Sequence, residues 1–195
     1  ARCRRGHGRR VADALLTKAG VMRVLITGAS GFVGRALTES LSKAGYHVRA
    51  AARDRTQMVP AEFVETVPLP DLSRPVDWRP LLADVDAIVH LAAVASVQAS
   101  VDDPLGTHET NLGGTLNLLE AARHGGIRRV IYASSAAVCG GRTERPVAEN
   151  SRLNPLSPYA ADKLSGEHYL DFYGRKFGIA GTAFRFFNIY GPRQD

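Results

Sequence analysis

Apolar residues along this chain gather into short, nearly unbroken runs separated by stretches of helix length. The runs are "RVLITG" (23–28), "HVRAAA" (47–52), "FVETVPL" (63–69), "DAIVHLAA" (86–93), "RRVIYASS" (128–135) and "IAGTAFRFFN" (179–188). Continuous rather than alternating apolarity is the pattern of a strand covered on both faces. Between the runs, apolar residues recur at near-helical spacing: Val33, Leu37, Leu41 and Ala44, then Leu112, Leu116, Leu119 and Ala122, then the segment 159–177. Strand and helix in alternation predict crossover units, and hence an α/β fold built on a doubly wound parallel sheet.

Two connections are long, polar and rich in Pro or Gly, "VASVQASVDDPLGTHET" (94–110) and "CGGRTERPVAENSRLNPLSP" (139–158). Both follow predicted strand ends on the carboxyl edge of the sheet, where open α/β sheets bind their ligands. They are expected to do more than join elements.

A length of 195 residues with 45% hydrophobic content suffices for one main domain and leaves little room for a second. The net charge of +6 raises nucleic acid or an acidic membrane as partners. Arg2, Arg4, Arg5, Arg9, Arg10 and Lys18 against Asp13 account for +5 of that charge within residues 1–21. The body is nearly neutral, so no nucleic-acid partner is expected of it. The leader at 1–21 is expected to be disordered or dispensable, with a basic nucleic-acid arm or a targeting segment as the alternative. Cys3 and Cys139 are the only cysteines, so no disulfide framework arises and a reducing, cytoplasmic setting is the default. No apolar run reaches the ~18 residues of a membrane span, and no metal site is expected.

The first run leads into "TGASGFVGRALTESL", with Gly28, Gly31 and Gly34 spaced G-x-x-G-x-x-G. A strand turning tightly into a helix needs one glycine for the turn and another so that backbone amides approach a pyrophosphate. A third lets helix and strand pack closely. The helix N-terminus then meets the phosphate charge favourably. In this strand–turn–helix context the triplet predicts a Rossmann-like dinucleotide site, with Phe32 and Val33 in the same turn. At the end of the second strand an acidic residue would read the ribose of NAD, whereas an arginine would take the 2′-phosphate of NADP. Ala52 stands where the acid is expected and Arg53 follows it, which leans toward NADP or dual use. The alternative for Arg53 is a solvent-facing loop charge.

The fifth run ends on Ser134 and Ser135, and "SPYAADKLSGE" (157–167) then places Tyr159 and Lys163 four apart on one predicted helix face. Alone, that spacing fits an ordinary helix surface. A lysine ammonium about 4 Å from the phenol, at an effective dielectric of about 20, would favour phenolate by roughly 4 kcal/mol, on the order of three pKa units. Tyr159 would then exchange a proton with a substrate hydroxyl while Ser135 hydrogen-bonds the same oxygen.

The ordered set "VLITGASGFVGRAL", "DLS" at Asp71, "DAIVHLAA", "NLGGTLNLLEAA", "VIYASSAAVCGG", "SPYAADKLSGE" and "RFFNIYGPRQD" resembles the extended short-chain dehydrogenases/reductases of the NAD-dependent epimerase/dehydratase family, and among them the nucleotide-sugar epimerases. The resemblance implies Asp71 and Leu72 at the adenine, Leu91, Ala92 and Ala93 along the cofactor, and Asn111 as polar support. It makes Ser135, Tyr159 and Lys163 the catalytic set, with Tyr159 and Lys163 also at the cofactor, Lys163 on the nicotinamide ribose, and Ser135 and Asn188 at the sugar nucleotide. His90 reads as a satisfied strand-end histidine, and hydrogen bonding to local backbone is the alternative for Asn111.

The family's dehydratases carry an acidic pair straight after the catalytic Ser or Thr, where this chain has Ala136 and Ala137. The implied activity is therefore 4-epimerisation of a nucleotide sugar by transient hydride transfer to a bound NAD, by a homodimer. An NADP-linked reductase of another alcohol or ketone is one alternative, and a cofactor-binding fragment without turnover is another. Cys139 replaces a tyrosine usual in relatives. The resemblance also puts most of the substrate-binding portion beyond Asp195, so the expected organisation is a leader at 1–21 and an NAD(P)-binding domain at 22–195.

Overall fold

The computed structural model describes residues 21–56, 58, 61–141 and 146–194, so the expectations for the leader lie outside the described residues except at Val21. Six strands form one parallel sheet: β1 (Arg23–Thr27), β2 (His47–Ala52), β3 (Val64–Pro68), β4 (Ala87–His90), β5 (Arg129–Ser135) and β6 (Ala180–Phe186). Their spatial order is β3-β2-β1-β4-β5-β6, with every pairing parallel. Strand order reverses between β1 and β4. The crevice over that point is where doubly wound sheets hold ligands.

The helices are α1 (Phe32–Lys43), α2 (Arg79–Leu82), α3 (Val97–Asp102), α4 (Pro104–His108), α5 (Gly114–His124) and α6 (Pro158–Phe177). A π-helical turn, Glu109–Gly113, joins α4 to α5, and a 3-10 turn, Ala136–Cys139, follows β5. No described helix is long and apolar enough to cross a membrane.

Successive strand residues face opposite layers, which explains the unbroken apolar runs. Leu25, Ile88, Val130 and Tyr132 point into a core with Leu118, Leu119, Leu170 and Trp78. Val24, Ile26, Val89 and Ile131 point into another with Leu41 and Tyr46. The run at 86–93 leaves the sheet after His90, freeing Leu91, Ala92 and Ala93 to line its edge. On α1 the buried positions are Gly34, Thr38, Leu41 and Ser42, while Val33 and Leu37 are half-buried and Ala44 is exposed. The predicted apolar face is thus rotated by about one residue, because Gly34 must approach the preceding turn. Residues 94–110, a long polar connection in the sequence, fold largely into α3 and α4, started by Ser96 and Asp103, which accept from the amides of Ala99 and Gly106.

Arg49 of β2 is buried and ties three elements together. Its Nε donates to Glu65 at 2.9 Å on β3, and its Nη1 reaches the carbonyls of Leu81 and Ala83 at 3.1 and 2.7 Å. Those carbonyls end a helix and have no partner inside it. Replacing Arg49 with Met leaves them buried and unpaired, and is expected to cost about 2–3 kcal/mol. A urea titration reads this as a lower midpoint, and an unchanged midpoint would remove Arg49 from this bracing role.

Candidate functional site at the carboxyl edge of the sheet

The turn after β1 is shaped by what it excludes. Gly28 has φ +72°, and a Cβ there would lie 2.8 Å from the Ala92 amide nitrogen. A Cβ at Gly34 would run into the Gly28 carbonyl oxygen and come within 2.7 Å of Ala29 Cα. A Cβ at Gly31 would lie 3.3 Å from the Gly28 oxygen. The first turn of α1 carries no acidic residue, and Gly31 at its N-cap provides no side-chain acceptor. The α3, α4 and α6 helices, by contrast, are capped by Ser96, Asp103 and Ser157. An uncapped N-terminus at the switch-point crevice leaves amide donors and a positive dipole end for an anion, so this cradle fits a dinucleotide pyrophosphate.

Beside it, Thr27 Oγ1 lies 2.7 Å from His90 Nδ1, and His90 Nε2 lies 3.2 Å from Thr115 Oγ1. Burial, with the Lys163 charge nearby, pushes the imidazole down to about 3. A neutral ring with both nitrogens engaged is a core strut, as the sequence reading holds. Asn111 is likewise occupied: its amide accepts from Val94 N at 2.8 Å and donates to Val94 O at 3.0 Å. It clasps local backbone and shapes the 94–96 loop from within the π-helical turn.

At the ribose end, Ala52 is fully buried and closes β2 against Pro68. Arg53 stands exposed beyond it. Asp71 is held below the usual carboxylate range, chiefly by the Ser73 amide and hydroxyl, with the charges of Arg74 and Arg53 acting in the same sense. Leu72 is buried against Gly114.

Ser135, Tyr159 and Lys163 come together where β5 ends against the first turns of α6. Ser157 caps that helix, accepting from Ala160 N at 3.2 Å, and Pro158 occupies its first turn. Ser135 Oγ accepts from Ala137 N at 3.1 Å, which leaves its own proton free to donate. Tyr159 and Lys163 are both buried, at 9% and 3% exposure. The Lys163 ammonium donates to Ala133 O at 2.8 Å and sits 4.9 Å from the Tyr132 ring centre and 5.8 Å from that of Tyr159.

Here the structure corrects an expectation. The phenol of Tyr159 is raised, not lowered: burial dominates, and hydrogen bonding with Ser135 opposes it only in part. The ammonium is committed to a carbonyl of β5, so it does not offset that burial. Burial also pushes Lys163 down to about 8, against the pull of Asp162. The unfolded chain therefore holds this proton over a range in which the folded chain has lost it. Stability is expected to rise between about pH 8 and 10, at up to about 1.4 kcal/mol per pH unit. Lys163→Met is expected to flatten that rise in chemical denaturation series, and an unchanged slope would place the titration elsewhere.

Residues 24–195 match the family model described as the NAD dependent epimerase/dehydratase family. The chain belongs to that family. It is 37% identical over 192 residues to the UDP-glucose 4-epimerase of Mycolicibacterium smegmatis, covering 89% of this chain and 58% of that protein. Among solved structures it superposes on UDP-N-acetylglucosamine 4-epimerase from Methanobrevibacter ruminantium M1, in complex with UDP-N-acetylmuramic acid, with a TM-score of 0.83 and 33% identity, over 91% of this chain and 58% of that one. It also matches the UDP-glucose 4-epimerase of Thermus thermophilus in complex with NAD, at TM-score 0.81 and 37% identity, over 89% and 58%. The chain thus spans just over half the length of these relatives.

Within this epimerase/dehydratase fold, Leu91, Ala92 and Ala93 are half-buried along the crevice, with the Leu91 and Ala92 amides donating to Thr27 O and Thr27 Oγ1 at 3.2 and 3.3 Å. Phe32 and Val33 are half-buried beside the glycine turn, and Asn188 is exposed past β6. Sequence reasoning missed one cluster beside the site. Ser134 donates to Glu167, which Arg185 grips through Nε at 2.9 Å and Nη2 at 2.7 Å. Arg185 Nη1 also holds the Glu149 carbonyl at 2.9 Å. Glu167 lies two turns beyond Tyr159 on α6 and inside the quoted "SPYAADKLSGE", yet nothing local identifies Arg185 as its partner.

Proposed function

We propose that this chain is the cofactor-binding and acid/base part of a nucleotide-sugar 4-epimerase resembling UDP-glucose 4-epimerase. The observation that carries the reading is the convergence of Ser135, Tyr159 and Lys163 beyond β5, beside a cradle suited to a dinucleotide. Ala136 and Ala137 stand where a dehydratase needs acids. A bound nicotinamide dinucleotide supplies the hydride acceptor and donor. Tyr159 Oη takes the proton of the sugar 4-hydroxyl and returns it to the same oxygen. Ser135 donates a hydrogen bond to that oxygen and steadies the charge that develops there. Lys163 has three ammonium protons and spends one on Ala133 O, so two remain for the ribose and the phenolate.

Incubation of this chain, and of a chain of the relatives' full length, with UDP-glucose or UDP-galactose tests this. Interconversion of the two without steady change in 340 nm absorbance is the expected result. Stoichiometric consumption of NADPH with a ketone would instead establish an NADP-linked reductase, and bound cofactor with neither activity would leave a binding fragment.

Ala52 and Arg53 favour a 2′-phosphate at the adenosine ribose, whereas the Thermus thermophilus relative is in complex with NAD. Arg53→Ala is expected to weaken NADPH binding about tenfold or more, as the loss of a charge-assisted hydrogen bond of about 1.5–3 kcal/mol implies, and to leave NADH affinity nearly unchanged. Equal loss for both would remove Arg53 from the 2′-phosphate role. A homodimer is part of the proposal: α3 and α4 pack on α6, and these helices leave Val97, Val101, Leu105, Tyr169 and Phe172 exposed. Sedimentation as a monomer at micromolar concentration would set that part aside.

A further inference from the structure

The segment that leaves β6 does not stay at the edge of the sheet where β6 lies. β6 ends at Phe186, opposite Ser135, three strand positions from β1. By residue 191 the chain has reached α1, because a Cβ on Gly191 would sit 3.5 Å from Phe32 Cζ. Two residues on, Arg35 Nη2 donates to the Arg193 carbonyl at 3.2 Å, and Arg193 Nη2 donates to Glu39 Oε2 at 2.7 Å. All three contacts fall on the first two turns of the helix whose N-terminus forms the phosphate cradle.

Strands about 4.8 Å apart put β6 roughly 14 Å from β1. Seven extended residues reach about 23 Å at most, so 187–193 spans that gap directly, with its turn at Pro192 and Arg193 at the far end. It starts at the carboxyl end of β6 and ends on the first two turns of α1, and the short path between these points crosses the ends of β5 and β4 and the crevice between β4 and β1. A segment tied to β6 at one end and to α1 at the other is placed to act as a strap over the dinucleotide site.

The strap is held under constraint at its far end. Arg193 has φ +67°, a left-handed conformation that is unfavourable for a non-glycine residue and persists where the surroundings impose it. Glu39 lies between Arg193 and Lys43, the latter at 2.6 Å. Along the strap, Phe187, Ile189 and Tyr190 are 61%, 37% and 83% exposed, so their apolar contacts do not account for its course. The anchoring is at Arg193.

We propose that Arg193 and Glu39 are positioning residues that latch this strap across the crevice and slow release of the bound dinucleotide. The inference rests on reading the crevice as a dinucleotide site, and goes beyond it by assigning retention to an ion pair outside the pocket. Retention matters to an epimerase because the same cofactor molecule must take and return the hydride within one turnover.

The test is stopped-flow displacement of NADH or NADPH, whichever binds the chain more tightly. Arg193→Ala and Glu39→Gln are each expected to raise the dissociation rate about three- to fivefold, the scale of one partly exposed ion pair, with association little changed. The double variant is expected to dissociate no faster than either single one, and Arg193→Lys to retain most of the slow release. Salt at about 0.5 M is expected to bring wild type toward the variants, since it screens a partly exposed ion pair. Dissociation rates unchanged in both single variants, or effects that simply add in the double, would overturn the latch. A lower thermal midpoint with an unchanged dissociation rate would overturn it too, leaving only a structural contact. Failure of wild type to bind either cofactor would overturn the dinucleotide reading itself and the latch with it.

Discussion

Tyr159→Phe is expected to reduce interconversion of UDP-glucose and UDP-galactose by about 10²- to 10⁴-fold, the usual contribution of a positioned proton carrier, while leaving cofactor binding intact. The ring that packs beneath the site is kept and only the hydroxyl is lost, so neither folding nor the cradle at Gly28 and Gly34 is disturbed. Burial raises the phenol in this structure, with Lys163 turned to Ala133 O. A neutral phenol is therefore the resting state, and the phenolate has to be drawn out by positive charge arriving with the cofactor or by a turn of the ammonium. Measured rates across pH would show this as a basic limb that the Phe variant lacks. A loss of less than tenfold would show that Tyr159 is not the proton carrier, and weakened cofactor affinity of equal size would reassign it to binding.

Gly34→Val is the second large effect expected. The added Cβ would run into the Gly28 carbonyl oxygen and lie 2.7 and 2.8 Å from Ala29 Cα and carbonyl carbon. All three are backbone atoms, so no side chain can swing aside and the turn itself has to open. We expect a stability loss of about 3 kcal/mol or more, together with loss of NADH and NADPH binding, since the same turn aims the α1 amides. Gly45→Ala is the matched control. Gly45 also has positive φ, at +83°, but its Cβ would meet nothing within 4 Å, so it is expected to lower the thermal midpoint modestly and leave cofactor binding unchanged. Retained cofactor affinity in Gly34→Val would mean that the cradle lies elsewhere.

Strand runs such as "VLIT" and "VIYA" were readable because a strand between two helical layers must be apolar on both faces. The glycine triplet was readable because backbone crowding leaves a local requirement at fixed spacing. Residues 94–110 were harder: Ser, Asp, Pro and Gly mark loops, but here Ser96 and Asp103 cap short helices whose stability comes from packing on α6. The face of α1 was displaced by a residue because Gly34, with no side chain to register in an apolar pattern, is what meets the turn after β1. Ser134, Glu167 and Arg185 belong to three separate elements, and the pairing of Arg193 with Glu39 spans 154 positions.

The order of strands and helices, the tight glycine turn after β1 and the Tyr159–Lys163 spacing were legible in the residues alone, since each depends on residue type at short range, and the alternation of strands and helices put Ser135 at the same edge. Where their charges point depended on how the layers pack. The Lys163 ammonium reaches a carbonyl of β5 rather than the phenol four residues before it, and burial then sets the sign of the Tyr159 shift. Helical spacing places two side chains on one face, but desolvation and long-range partners, which arise only when layers pack, govern what those side chains do.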